Sequence, residues 1–150
     1  MTERQDFERY MRLALEEARL AFDEGEVPVG AVLVKHGEVV ARAHNRVEQT
    51  GAATAHAELL CLREAMKRLG PRLTDCTLFV TLEPCAMCAG ACVNAKLSRL
   101  VYGAFDEAAG CCGTKMDLTD HCFLHSVETW GGILEPDCKS LLTNFFQALR

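Results

Sequence analysis

Thr77-Leu-Phe-Val-Thr-Leu82 runs directly into Glu83-Pro84-Cys85-Ala86-Met87-Cys88, so an unbroken apolar stretch ends on a proline and a spaced cysteine pair. A continuous run of this kind reads as a strand buried on both faces. Pro84 suits a strand-to-helix junction, where a missing N–H costs little. Residues 85–96, rich in small side chains, then read as a short helix with both sulfurs in its first turn. The i, i+3 spacing puts Cys85 and Cys88 on one helix face, where they can share an ion.

Upstream, His56-Ala57-Glu58 opens a second expected helix, over 54–69, with Gly70-Pro71 as its stop signal. Unpaired N–H groups and the positive end of the helix dipole gather at both helix starts, a field that favours thiolate over thiol. His56, Cys85 and Cys88 supply three ligands for Zn²⁺. Three leave one corner of a tetrahedral ion open to water, which separates a catalytic zinc from a structural one. Glu58 is not needed as a ligand and is the natural partner for the proton of that water. Two thiolates and a neutral imidazole cancel the charge of the ion, so its water needs a base close by.

Outward from this centre, Phe7, Tyr10, Met11, Ala14, Ala18, Ala21 and Phe22 recur at helical spacing, predicting an amphipathic helix over 4–24 closed by Gly25. Val27–Val34 and Val39–Ala43 read as strands joined by a tight turn at His36-Gly37. Residues 44–53 read as a loop, Leu100–Tyr102 as a buried strand, and 104–125 as irregular. Val127–Trp130 reads as an edge strand, and 137–149 as a closing helix in which Phe145-Phe146 supplies core packing. Strands alternating with helices predict one domain over 1–150, a three-layer α/β/α sandwich with its sheet covered on both faces.

The composition excludes several classes. No stretch among the 150 residues approaches the ~20 apolar positions of a membrane span. The start, MTERQDFERY, is charged at once and has no apolar run to serve as a secretory signal, so a cytoplasmic protein is expected. Nine cysteines, an odd number without an export signal, are expected to be reduced and mostly buried. The net charge of −5 does not advertise a nucleic-acid binder, yet residues 1–27 alone hold eight acids against four bases. A basic patch elsewhere stays compatible with that balance.

Plainer readings compete with the zinc site. A lone Cys-x-x-Cys also serves redox proteins, but those have no use for His56-x-Glu58. A closed structural zinc would need a fourth protein ligand, Cys61 or Cys92, and would leave Glu58 unexplained. Cys111-Cys112 with His121-Cys122 and His125 matches no ligand spacing and reads as a loop.

Over nearly its whole length the chain resembles the bacterial tRNA-specific adenosine deaminases of the cytidine deaminase-like superfamily. The marks are Glu26-Val-Pro-Val-Gly-Ala-Val-Leu-Val34, Asn45-Arg46, Thr54-Ala-His-Ala-Glu58 and Thr81-Leu-Glu-Pro-Cys-Ala-Met-Cys-Ala-Gly-Ala91. Gly103-Ala-Phe-Asp106, Met116-Asp117 and Leu141-Leu-x-x-Phe-Phe146 continue them. The H-x-E…P-C-x-x-C spacing is the recognised signature of zinc deaminases acting on nucleobases, so their hydrolytic chemistry is inherited here. Small residues after Cys88 separate this chain from the guanine deaminases, which tend to carry bulkier aromatic ones. A histidine at 56 separates it from the cytidine deaminases, which usually have cysteine there.

The resemblance implies a five-stranded mixed sheet and conversion of adenosine to inosine at the wobble position of a tRNA anticodon stem-loop. It further implies a homodimer with one Zn²⁺ and one catalytic water per subunit, Asn45 in contact with the flipped base, and Val27 and Ala55 lining its pocket. Two departures stand out. Phe105 and Ala108 occupy positions where relatives commonly carry arginine and lysine, and Ala52-Ala53 replaces an Asp-Pro pair. The bases left to meet an RNA backbone are Arg46, Lys96, Arg99, Lys115 and Arg150. A deaminase of a free base or nucleoside is therefore an alternative. A catalytically silent RNA- or partner-binding subunit is a third reading, opposed by the intact His56, Glu58, Cys85 and Cys88.

Overall fold

A computed structural model describes residues 2–149. Its elements are α1 (Glu3–Asp23), β1 (Gly30–Lys35), β2 (Glu38–His44), α2 (Val47–Thr50), α3 (Ala57–Leu69), β3 (Cys76–Leu82), α4 (Ala86–Asn94), β4 (Arg99–Ala104), β5 (Glu128–Trp130) and α5 (Glu135–Ala148). The sheet order is β2-β1-β3-β4-β5. β1 pairs antiparallel with β2 and β3, whereas β3-β4 and β4-β5 are parallel. The sheet is mixed and five-stranded.

Alternation along the central strands explains the layers. Val32 and Val34 of β1, Phe79 of β3 and Val101 of β4 pack against Phe7, Tyr10 and Met11 of α1 and Cys138 of α5. Their neighbours Ala31, Leu33, Leu78, Val80 and Leu100 face Cys61 and Leu62 of α3 and Cys92 of α4. Because both faces are covered, these strands are apolar at consecutive positions instead of every second one. α1 starts where Thr2 and Gln5 form a capping box, Thr2 Oγ1 accepting from the Gln5 N–H at 3.2 Å and Gln5 Oε1 from the Thr2 N–H at 2.8 Å. Gly30 lets α1 lie directly on β1, since a Cβ there would stand 2.0 Å from the Ala14 carbonyl oxygen. None of the described helices is long and apolar enough to cross a membrane.

Most boundaries fall within two residues of the sequence expectations, and three larger differences stand out. β1 begins at Gly30 and not at Val27, because the Val29 N–H turns back onto the Val27 carbonyl at 2.8 Å instead of joining the ladder. The polar segment 44–53 contains a short helix, α2. α3 starts at Ala57, since a turn closed by Ala55 N–H on the Ala52 carbonyl (3.0 Å) holds 52–55 out of helical register.

Candidate active site

The two helix starts meet beyond the C-terminal end of β3. His56 is the N-cap of α3 and Cys85 the N-cap of α4, both with extended backbone, so each side chain projects from the mouth of its helix. Cys88 follows one turn inside α4 and is buried. The His56 Nδ1 lies 3.7 Å from Cys85 Sγ and 3.6 Å from Cys88 Sγ. Two donors on one edge of a tetrahedral zinc stand about 3.6 Å apart, from the usual Zn–S and Zn–N lengths. One imidazole and two sulfurs at these separations fit Zn²⁺ in donor type and in spacing.

Among the described residues no fourth His, Cys, Asp or Glu ligand joins them, and the metal-capable group consists of His56, Cys85 and Cys88. Cys61 and Cys92 are wholly buried, and the Cys61 thiol is spent on the Ala41 carbonyl at 3.6 Å. Cys111 and Cys112 are buried while His121 and Cys122 are exposed, so the loop gathers no second cluster. All nine thiols are free.

The electrostatics follow from the helix starts. The Cys88 thiol and the N–H groups of Cys88 and Met87 hold the Cys85 thiol down at about 5, while Cys88, which keeps the shared proton, is pushed up. Burial raises the Glu58 carboxyl to about 7, against its own N–H and nearby His56. Glu58, in the first turn of α3, is 4% exposed.

His56, Glu58 and Cys85 line a cavity of about 270 Å³, near the small end of ligand pockets. Val27 and Asn45 line it as well. Asn45 Nδ2 donates to the Val27 carbonyl at 3.3 Å, and Asn45 Oδ1 is buried without a partner among the described residues. Such an acceptor is costly unless a ligand supplies a donor. Ala55 is buried, its carbonyl accepting the Arg46 N–H at 3.0 Å, and is not itself part of the lining.

The basic residues divide. Arg46 is exposed at the start of α2, and Lys115 is exposed on the loop after Gly110. Lys96 follows the C-terminal end of α4, away from the cysteines at its start. Arg99 sits at the other end of the sheet, paired with Thr77 in register. Its Nε donates to Thr77 Oγ1 at 3.3 Å, its guanidinium covers the Phe7 ring at 4.9 Å, and Glu3 and Glu128 lie at 3.7 and 3.8 Å. It fastens α1 to the sheet. Arg150 lies outside the described residues.

Two buried acids in the cavity wall were missed by the sequence reading. Glu26 accepts the N–H groups of Glu48 (2.9 Å) and Gln49 (2.8 Å). Glu83 accepts those of Asp106 (3.1 Å), Cys112 (3.0 Å) and Thr114 (3.1 Å), and the Thr114 hydroxyl. The signal was available: Glu83 directly precedes Pro84 and Glu26 stands two residues before Pro28, each next to an apolar residue, where a carboxylate has to find donors if buried. On the last helix, Phe145 is buried against Phe22 as expected, whereas Phe146 is exposed and borders a surface groove with Phe105.

A model of the MafB19-like deaminase family matches residues 5–150, and the chain belongs to that family of enzymes. It is 50% identical over 145 residues to the tRNA-specific adenosine deaminase of Bacillus subtilis (strain 168), covering 95% of this chain and 90% of that one. Within the family it thus belongs with the tRNA-specific adenosine deaminases. A solved structure from a study of A-to-I editing by tRNA:A34 deaminases superposes with a TM-score of 0.82 at 41% identity, covering 89% of this chain and 99% of that one. A guanine deaminase from Nitrosomonas europaea superposes almost equally, with a TM-score of 0.81 over 92% of this chain and 83% of that one, at 25% identity. The fold is shared across substrates; sequence identity separates them.

Proposed function

We propose that the protein hydrolyses the 6-amino group of adenosine at the wobble position of a tRNA anticodon, consuming one water and releasing inosine and ammonia. The observation that carries this reading is the meeting of the His56, Cys85 and Cys88 donor group with one small cavity, lined by His56, Cys85, buried Glu58 and Asn45. The likeness to the B. subtilis enzyme supports adenosine in tRNA as the substrate.

His56, Cys85 and Cys88 would hold Zn²⁺, which when bound would acidify a water for attack on the amino-bearing carbon. Glu58, sheltered from bulk water by its burial, would carry one proton of the consumed water to the ring nitrogen beside the amino-bearing carbon and the other to the departing amino group, which leaves as ammonia. Asn45 Oδ1 accepts a hydrogen bond from the flipped nucleoside, and Val27 packs on the ring. Arg46 and Lys115 contact the RNA backbone as exposed cations. A homodimer with one zinc per subunit and a cytoplasmic location belong to the same reading. Size-exclusion chromatography with light scattering tests the dimer.

A free purine base is the competing substrate, favoured by Phe105 and Ala108 in place of cations and by the guanine deaminase likeness. Zinc-loaded protein offered an anticodon stem-loop beside free guanine, adenosine and cytidine, with ammonia and inosine measured, decides between them. Turnover of a free base with none on the stem-loop rejects the first reading.

A further inference from the structure

Asn45 follows directly on β2, and nothing in its own segment fixes it. The next residue, Arg46, is the N-cap of α2 but makes no side-chain capping bond. With only four residues, α2 has more orphan N–H groups than internal hydrogen bonds and does not persist unaided. The missing cap comes from a distance of more than twenty residues. Glu26 is fully buried and gives one oxygen to the Glu48 N–H and the other to the Gln49 N–H. A carboxylate there satisfies two donors and opposes the dipole of the short helix.

The same stretch of chain holds Asn45 from its other side. The Val27 carbonyl, one residue after Glu26, accepts Asn45 Nδ2 at 3.3 Å, and the Val29 carbonyl accepts the Asn45 N–H at 3.0 Å. Residues 26–29 thus grip the chain both before and after the Asn45 side chain, which lines the cavity. Nδ2 is committed to Val27, and Asn45 stands two residues before α2, so the seat of that helix sets the path of the chain leaving Asn45.

We infer that Glu26 is a positioning residue for substrate recognition: it seats α2 so that Asn45 presents its oxygen to the nucleoside. This rests on the proposed role of Asn45 in reading the base. Glu26 touches neither the reacting carbon nor the metal donors, so its effect belongs in substrate affinity and not in the chemical step.

A double-mutant cycle of Glu26→Gln and Asn45→Ala, assayed on the anticodon stem-loop with zinc content measured in parallel, tests it. Gln keeps the shape but turns one acceptor into a donor facing an N–H. Glu26→Gln is expected to raise KM roughly tenfold with kcat changed less than about threefold and zinc retained, as for a lost binding contact. In the Asn45→Ala background the same change should add little. Independent, multiplicative losses would overturn the inference, as would a fall in kcat or zinc content of equal size in both backgrounds, the mark of a merely structural role. If Glu26→Gln does not fold, Glu26→Asp, which keeps the charge but withdraws it by one methylene, takes its place in the cycle with the same expectations. An unchanged KM in Asn45→Ala alone would instead remove the base-reading role of Asn45 and this inference with it.

Discussion

Glu83, two residues before Cys85, accepts the backbone N–H of Asp106 at 3.1 Å across a gap of 23 residues. The same carboxylate holds Cys112 and Thr114, so one buried side chain ties the 106–114 loop to the junction that leads from β3 into Cys85 and α4. Asp106 also lines the cavity, which makes the loop part of its wall.

Glu83→Ala leaves three buried or half-buried N–H groups without acceptors and should destabilise the fold by about 3 kcal/mol. Urea denaturation of the zinc-loaded protein measures it. A loss below the experimental scatter would mean that the loop holds itself.

Gly110→Ala approaches the same clamp from the other side. A Cβ at 110 would stand 2.5 Å from the Glu83 carboxyl carbon and 2.6 Å from the Asp106 carbonyl oxygen. Backbone is not free to yield here, so a cost of about 1–3 kcal/mol is expected. Thermal melting of Gly110→Ala beside Gly90→Ala is the check, because a Cβ at 90 meets nothing within 4 Å.

Ligand and base should separate on substitution. Glu58→Gln should keep its zinc and lose turnover by about 10²–10⁴-fold, the usual worth of a positioned acid-base group. Cys88→Ala should lose both metal and turnover. Zinc analysis with single-turnover kinetics distinguishes them, and near-normal rates in Glu58→Gln would end its assignment as the proton carrier.

Zinc retention should fall as pH falls. Protons compete with the ion for the two sulfurs and the imidazole, so acid favours release. Without the ion, the neighbouring Cys88 thiol already holds the Cys85 thiol down at about 5, so this sulfur competes poorly for protons until the medium is acidic. Dialysis against a chelator across a pH series should release zinc at the acidic end first and lower the melting temperature as it leaves. Release favoured by alkali would contradict the ligand set.

Arg46→Ala should weaken stem-loop binding uniformly and reduce its salt dependence, as for one lost phosphate contact. Arg99→Ala should leave binding and its salt slope unchanged while loosening α1, because its guanidinium is engaged by Phe7, Thr77, Glu3 and Glu128. Binding titrations at two salt concentrations resolve the pair.

Much of this molecule was written locally. The period of Phe7 to Phe22 specifies α1, the consecutive apolar residues of 77–82 specify a doubly covered strand, and short spacing at two helix starts marks His56, Glu58, Cys85 and Cys88. These are properties of neighbours in sequence, which helix and strand geometry convert directly into shared faces. Only the tertiary structure decided that Arg99 serves α1 instead of the cavity end, that 47–50 is helical, and that Glu26 and Glu83 cap segments 22 to 31 residues away. Those outcomes depend on buried charges finding donors across the fold, and no local pattern records which distant N–H groups will be waiting.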